Sequence, residues 1–206
     1  MVCCLFHDIS DKNAPFAAGV MKSRRKENMH RVYEVATRGM EIIALTSDHF
    51  TVYESIADEE KIIHQECIFH HYNNLNDDIY PILNDKDISN SEKMTLALQT
   101  TEYRNIFRTY EEKKALKLWD CFLDKGTNLH DVFKDNIEKI TESFLRHTQF
   151  TRDNFIPRTS NQAETFHSVP VVRQIKNNME TPKGFLECIA VIMQYYQPKT
   201  RKRKRP

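Results

Sequence analysis

The stretch Ile42-Ile43-Ala44-Leu45-Thr46-Ser47-Asp48 is a short, nearly unbroken apolar run that ends on a carboxylate. It is too short for an amphipathic helix and does not alternate as a strand with one wet face would, so it predicts a buried strand over 42 to 46. A parallel neighbour is expected beside it. Upstream, residues 2 to 6 and 16 to 21 are apolar stretches separated by the turn formers Asp8-Ile9-Ser10-Asp11-Lys12-Asn13-Ala14-Pro15, which predicts a hairpin. Met29, Val32, Tyr33 and Ala36 stand at helical spacing within 25 to 38. Two strands, a helix and a buried strand make an α/β (mixed α+β) core.

Beyond Asp48 the pattern changes. Residues 51 to 58 predict a short helix and Lys61 to Gln65 a further strand; from Cys67 onward nearly everything is helical. Over 103 to 123, Tyr103, Ile106, Phe107, Tyr110, Leu118, Trp119 and Phe122 share one helical face. Over 129 to 147, Leu129, Val132, Phe133, Ile137, Ile140 and Phe144 do likewise, with Gly126-Thr127-Asn128 as the intervening turn. Pro157 marks the return towards the core. Thr159-Ser160 form an N-cap pair for one helix, and a last helix has Thr181 as N-cap and Pro182 at its first position. The chain has only 4 glycines, in no repeat and no phosphate-cradling loop.

At 206 residues the chain is long enough for one sizeable core, or a core with one helical insertion. Charged residues at 29% and hydrophobics at 40% describe an ordinary globular protein and exclude a wholly disordered chain. The net charge of +1 hides an asymmetry, because six of the eight residues in Lys199-Thr200-Arg201-Lys202-Arg203-Lys204-Arg205-Pro206 are basic. Such a run points to a polyanion partner. The five cysteines (Cys3, Cys4, Cys67, Cys121, Cys188) are odd in number and scattered, and there is no signal-peptide pattern. No apolar run approaches the roughly 20 residues of a membrane span. A reducing intracellular compartment and no membrane partner are expected.

Two acidic residues stand out. Asp48 closes the buried strand, and Glu164 lies in Arg158-Thr159-Ser160-Asn161-Gln162-Ala163-Glu164-Thr165-Phe166-His167, which reads as the first turns of a helix. A strand-end carboxylate and a helix-borne one can converge on a cleft and hold hard Mg²⁺ ions together with waters and substrate phosphate. Two such ions about 3.5 to 4 Å apart activate an attacking oxygen and stabilise a leaving one. The competing reading is structural, since both placements are commonplace for acidic residues.

The surrounding residues narrow the choice. Ile42 to Asp48, followed by Val52-Tyr53 and by His64-Gln65-Glu66-Cys67-Ile68-Phe69-His70, resembles the segment around the second catalytic aspartate of DDE transposases of insertion sequences. Cys67 and His70 match the Cys-x-x-His signature of the Mutator-like branch. Arg158 to Glu164, with Thr181-Pro182-Lys183-Gly184-Phe185 beyond, looks like that group's third-acid helix and its successor. The resemblance spans nearly the whole chain and implies a partial ribonuclease-H-like core with a large all-α insertion. Residues 1–66 would form the N-terminal part of the core, 67–155 the insertion, 156–198 the C-terminal helices and 199–206 a basic tail.

It further implies Asp48 and Glu164 as catalytic, Mg²⁺-binding (or Mn²⁺-binding) residues, with double-stranded DNA (transposon ends and target) as partner. Strand cleavage and transfer are the implied chemistry, in a homo-oligomer, in a nucleoid-associated cytoplasmic setting or a eukaryotic nucleus. The family's first aspartate lies on a first strand, and the hairpin corresponds to the second and third strands. The expectation is therefore a chain without that strand and catalytically incomplete. Asp8 is the available substitute, expected at the hairpin turn with its side chain turned away from the cleft.

Other features keep two readings. Cys67-x-x-His70, with His64 and His71 nearby, makes half of a zinc site, for which Cys4-x-x-His7 would be the second pair; the alternative is a packed Cys67. Trp119 either stacks on an unpaired base or sits in a helical core. Arg158, Arg173 and Lys176 suit phosphate contacts that position a duplex, or a solvated helix face. Lys202 and Arg203, in the tail, suit salt-dependent phosphate binding. A transposase-derived DNA-binding or interaction module that does not cut is the functional alternative. A cysteine hydrolase built on Cys4 and His7 is remote, because no third group orients the pair.

Overall fold

The computed structural model describes residues 2–8, 14–160 and 181–195. The chain divides into two compact units, one of residues 1–42 with 161–206 and one of residues 43–160.

In the first unit, β1 (Val2–Asp8) and β2 (Ala14–Met21) pair antiparallel, as the turn formers between them predict. The register shifts between Phe6 and His7, and Asp8 is the last strand residue, paired with Ala14. Helix α1 (Lys26–Ala36) lies on β2 and buries Met29 and Tyr33. Its approach is close enough that a Cβ on Gly19 would stand 2.2 Å from Val32 Cγ1, so only glycine fits there. The last described helix (Pro182–Tyr195) also packs on β2 and fully buries Phe185 and Ile189. Its start follows the sequence signal: the Gly184 amide donates to Thr181 Oγ1 at 3.2 Å, and Pro182 occupies the first helical position.

In the second unit, β3 (Ala44–Ser47) and β4 (Ile63–Glu66) are joined by α2 (Thr51–Glu60) and pair in parallel, Ala44 opposite Ile63 and Ser47 opposite Glu66. The parallel neighbour exists, but the strand is shorter and wetter than its composition predicts. Ile43 is exposed, Ala44 to Thr46 are half-buried and only Ser47 is buried. Among the described residues this sheet has two strands. Helix α2 buries Ile56 and Ala57 and ends at Lys61, whose left-handed φ of 56° turns the chain into β4.

Four helices follow: α3 (Ile68–Asn84), α4 (Asn90–Ile106), α5 (Glu112–Leu123) and α6 (Asp131–His147). Ser89 Oγ caps α4 by accepting from the Glu92 amide at 3.2 Å. The single helix expected over 103 to 123 is two. Helix α4 stops at Ile106, and the Glu111 amide bonds Thr109 Oγ1 at 3.2 Å in a local turn that competes with the helical pattern. Tyr110, read as part of the apolar stripe, falls in this break and is exposed.

The two helices still face one core. Tyr103, Phe107, Trp119, Phe122, Phe133 and Phe144 are all buried, and the Trp119 and Phe144 rings stack at 5.0 Å. Trp119 is thus a core residue and not a platform for a base. The second unit is mixed α/β, mostly helical around a small parallel sheet, and no helix among the described residues is long and apolar enough to cross a membrane.

Candidate functional site

The C-terminal ends of β3 and β4 lie side by side, the edge at which parallel α/β sheets present ligand-binding residues. Asp48 and His49 leave β3 there; Glu66 closes β4, and Cys67 leads directly into α3. The two exits are tied together. The Cys67 amide donates to the Ser47 carbonyl at 2.8 Å, and His49 Nε2 lies 3.2 Å from the Cys67 carbonyl.

Helix α6 closes this edge from the other side. Gln65, fully buried, donates from Nε2 to the His147 carbonyl at 3.0 Å and accepts from the Phe150 amide at 2.9 Å. Glu66 is buried at 7% exposure, and its Oε1 accepts from Arg146 Nε at 2.8 Å. Arg146 reaches Glu54 Oε1 at 2.8 Å with its Nη1. With Oε1 so held, Glu66 Oε2 is presented to two imidazoles, 3.3 Å from His49 Nδ1 and 3.2 Å from His147 Nε2.

A third imidazole completes the group. His71, on the first turn of α3, is buried and braced by Tyr103 Oη, 2.5 Å from its Nε2. The His71 and His147 ring centres are 4.6 Å apart, and those of His49 and His147 are 4.9 Å apart. Burial, reinforced by the neighbouring rings of His147 and His49, holds the His71 pKa well below its ordinary value. Burial also drives His147 down to about 3, with His49 adding to the effect and the hydrogen bond to the Ser143 carbonyl opposing it. His147 is therefore neutral at pH 7. Its Nδ1 donates to Ser143 at 3.0 Å, so the Nε2 facing Glu66 carries a lone pair, and that contact is not an ion pair.

The residues singled out from the sequence fare unequally. Asp48 sits at the strand end, as expected, with a buried Oδ1 that has no hydrogen-bond partner. Cys67 is fully buried, and its Sγ accepts from the Ser160 amide at 3.2 Å. His70 lies beside it on the first turn of α3, its ring edge-on to Phe69 at 5.8 Å. Arg158 donates from Nη1 to the Phe107 carbonyl at 3.3 Å and lies 5.8 Å from the centre of the Tyr110 ring. Glu164, Arg173, Lys176, Lys202 and Arg203 lie outside the described residues.

Comparison with known proteins adds one relative. The chain is 28% identical over 188 residues to the uncharacterized 48.3 kDa protein of insertion element ISM1 from Methanobrevibacter smithii. It is similar to an insertion-element protein. The match covers 91% of this chain and 47% of the relative, so the chain spans about half the length of the curated relative it matches. No family model matches the chain, and no solved structure matches it.

The histidine group was not singled out in the sequence, although a signal for it exists. On α3, His71 is in phase with the buried Ile68, Leu75 and Ile79, whereas His70 is not; on α6, His147 is in phase with Ile140 and Phe144. A histidine on an apolar stripe is a buried histidine.

Proposed function

We propose that the chain is a transposase-related protein that acts on double-stranded DNA, with Asp48 and Glu164 as two of its acidic catalytic residues. The observation that carries this reading is the similarity to an insertion-element protein over nine-tenths of the chain. The strand edge supports it, because Asp48 stands where a carboxylate can reach a bound substrate and its buried Oδ1 has no protein partner. An orphaned carboxylate oxygen suits a hard cation, so the residue fits Mg²⁺ or Mn²⁺.

In this reading Asp48 and Glu164 hold the metal, which when bound supplies charge stabilisation for phosphoryl displacement. The protein's own share is to fix the Asp48 carboxylate through the β3–β4 ladder, notably the bond from the Cys67 amide to the Ser47 carbonyl. Residues 67–155 are the helical insertion of a ribonuclease-H-like core, within which Cys67 braces the strand end and His70 touches DNA or orients a metal-bound group. Arg173, Lys176, Lys202 and Arg203 hold phosphates, which predicts duplex binding that weakens steeply with salt.

A strand-cleavage assay on duplex DNA with Mg²⁺ or Mn²⁺ tests the proposal. The expected result, with the first aspartate lacking, is at most weak metal-dependent nicking, which Asp48→Asn and Glu164→Gln each abolish. Nicking that survives both substitutions overturns the assignment. Salt-sensitive duplex binding with no cleavage under any metal selects the non-cutting DNA-binding module instead.

A further inference from the structure

We infer that His49, His71, His147 and Glu66 form a four-ligand site for a zinc-class divalent transition-metal ion. The inference stands on the geometry of these four residues and does not depend on the transposase reading.

One ring nitrogen from each of the three histidines lies within 4.8 Å of those from the other two. Glu66 Oε2 stands 3.3 Å from His49 Nδ1 and 3.2 Å from His147 Nε2. Those separations have a simple origin, because ligands bound at roughly 2.0 to 2.1 Å in a tetrahedron sit about 3.3 Å from one another. The separations between ring nitrogens, up to 4.8 Å, must shorten when the ion binds.

The surroundings point the same way. His147 turns Nδ1 to a backbone carbonyl, as His49 does with Nε2, and each leaves its other nitrogen towards Glu66 Oε2. A second hydrogen bond of this kind is how proteins fix the tautomer and orientation of a metal-bound imidazole. His71 is held by Tyr103 Oη. Arg146 occupies Glu66 Oε1, so the carboxylate offers the group its other oxygen.

Without a cation the arrangement is incomplete, because His147 Nε2 is buried with no hydrogen-bond partner, 3.2 Å from Glu66 Oε2. Imidazole with one carboxylate selects zinc and its neighbours over Mg²⁺, which prefers oxygen alone. The side chain of His49, at 24% exposure, is the most accessible of the four and gives the ion its way in.

The test uses the full chain, stripped with a chelator and titrated with Co²⁺, whose visible absorption distinguishes four-coordinate from six-coordinate binding. The expected outcome is one four-coordinate Co²⁺ per chain, displaced by Zn²⁺. His49→Ala and Glu66→Gln should each weaken binding by roughly tenfold or more, while His30→Ala leaves it unchanged. His49 is partly exposed and Glu66→Gln keeps the side-chain shape, so both variants should fold, which far-ultraviolet circular dichroism verifies. Six-coordinate binding only, no binding at all, or binding that neither variant weakens would overturn the inference. Loss of the cobalt spectrum in His70→Ala but not in His49→Ala would also overturn it, in favour of a Cys67/His70 site.

Discussion

The aromatic core of α4 to α6 and the polar group at the ends of β3 and β4 bury their side chains almost equally deeply, yet they are complete in different senses. In the first, Tyr103, Phe122 and Phe133 pack with ring centres 5.3 to 5.5 Å apart and demand nothing from outside. In the second, Glu66, His71 and His147 are nearly as buried, but their charges and lone pairs do not cancel. Tyr103 is the seam, with its ring in the aromatic cluster and its hydroxyl on His71. The stability of one region should be intrinsic, and that of the other conditional on protons and metal.

The largest effect should come from the self-sufficient side. Phe133 is fully buried between the Tyr103 and Phe122 rings, so Phe133→Ala removes a whole ring from close packing and should cost about 3 to 5 kcal/mol. Urea unfolding should show a lowered midpoint with an unchanged slope. A loss below about 1 kcal/mol would mean that the aromatic cluster is not closely packed around Phe133.

On the polar side, Gln65→Ala leaves the His147 carbonyl and the Phe150 amide without their buried partner. Orphaning two such groups should cost roughly 2 to 4 kcal/mol by the same measurement. It should also loosen α6 from β4, so the variant should lose metal affinity that Phe133→Ala retains. Equal losses of affinity in the two variants would break the distinction between the regions.

Acid should separate them further. In chelator, His71 and His147 have folded pKa values below that of an unfolded histidine, and His147 lies near 3. Well above pH 6.5 both states are neutral at these positions and stability is unaffected. As pH falls below 6.5 the unfolded chain takes up protons that the folded chain refuses, so stability falls. From pH 7 to 5.5 the expected loss is about 1 to 2.5 kcal/mol, and His147→Gln should flatten the slope. A slope unchanged in that variant would show that His147 is not buried as a neutral base.

The same contrast decides how much could be read from the sequence. Aromatic residues at helical spacing announce their own burial, so the stripes of Tyr103 to Phe122 and Leu129 to Phe144 were legible. The break between α4 and α5 was not, because Phe107 and Tyr110 remain in phase across it and only a Thr109 hydroxyl ends the helix. At the strand ends, Asp48 was legible as the residue closing an apolar run, and β4 as its parallel neighbour. The imidazole group was hidden because it takes one residue each from a strand exit, the first turn of α3 and the last turn of α6. The local Cys67-x-x-His70 spacing drew attention to His70, whereas the buried member of the adjacent pair is His71.

The smallest effect concerns the link that delivers β4 to this edge. Lys61 ends α2 in the left-handed region, at φ 56° and ψ 40°, where a Cβ is disfavoured by about 1 to 2 kcal/mol. Lys61→Gly removes that strain but frees the unfolded chain, which takes back about 0.4 to 1 kcal/mol. The net expectation is a gain of up to about 1 kcal/mol, seen as a small rise in Tm, whereas Lys61→Ala should give none. Because the change touches neither the aromatic core nor a proposed ligand, the gain should be the same with and without Zn²⁺. A gain that appears only with metal bound would mean that this turn moves as the site closes, joining β4 to the conditional half of the molecule.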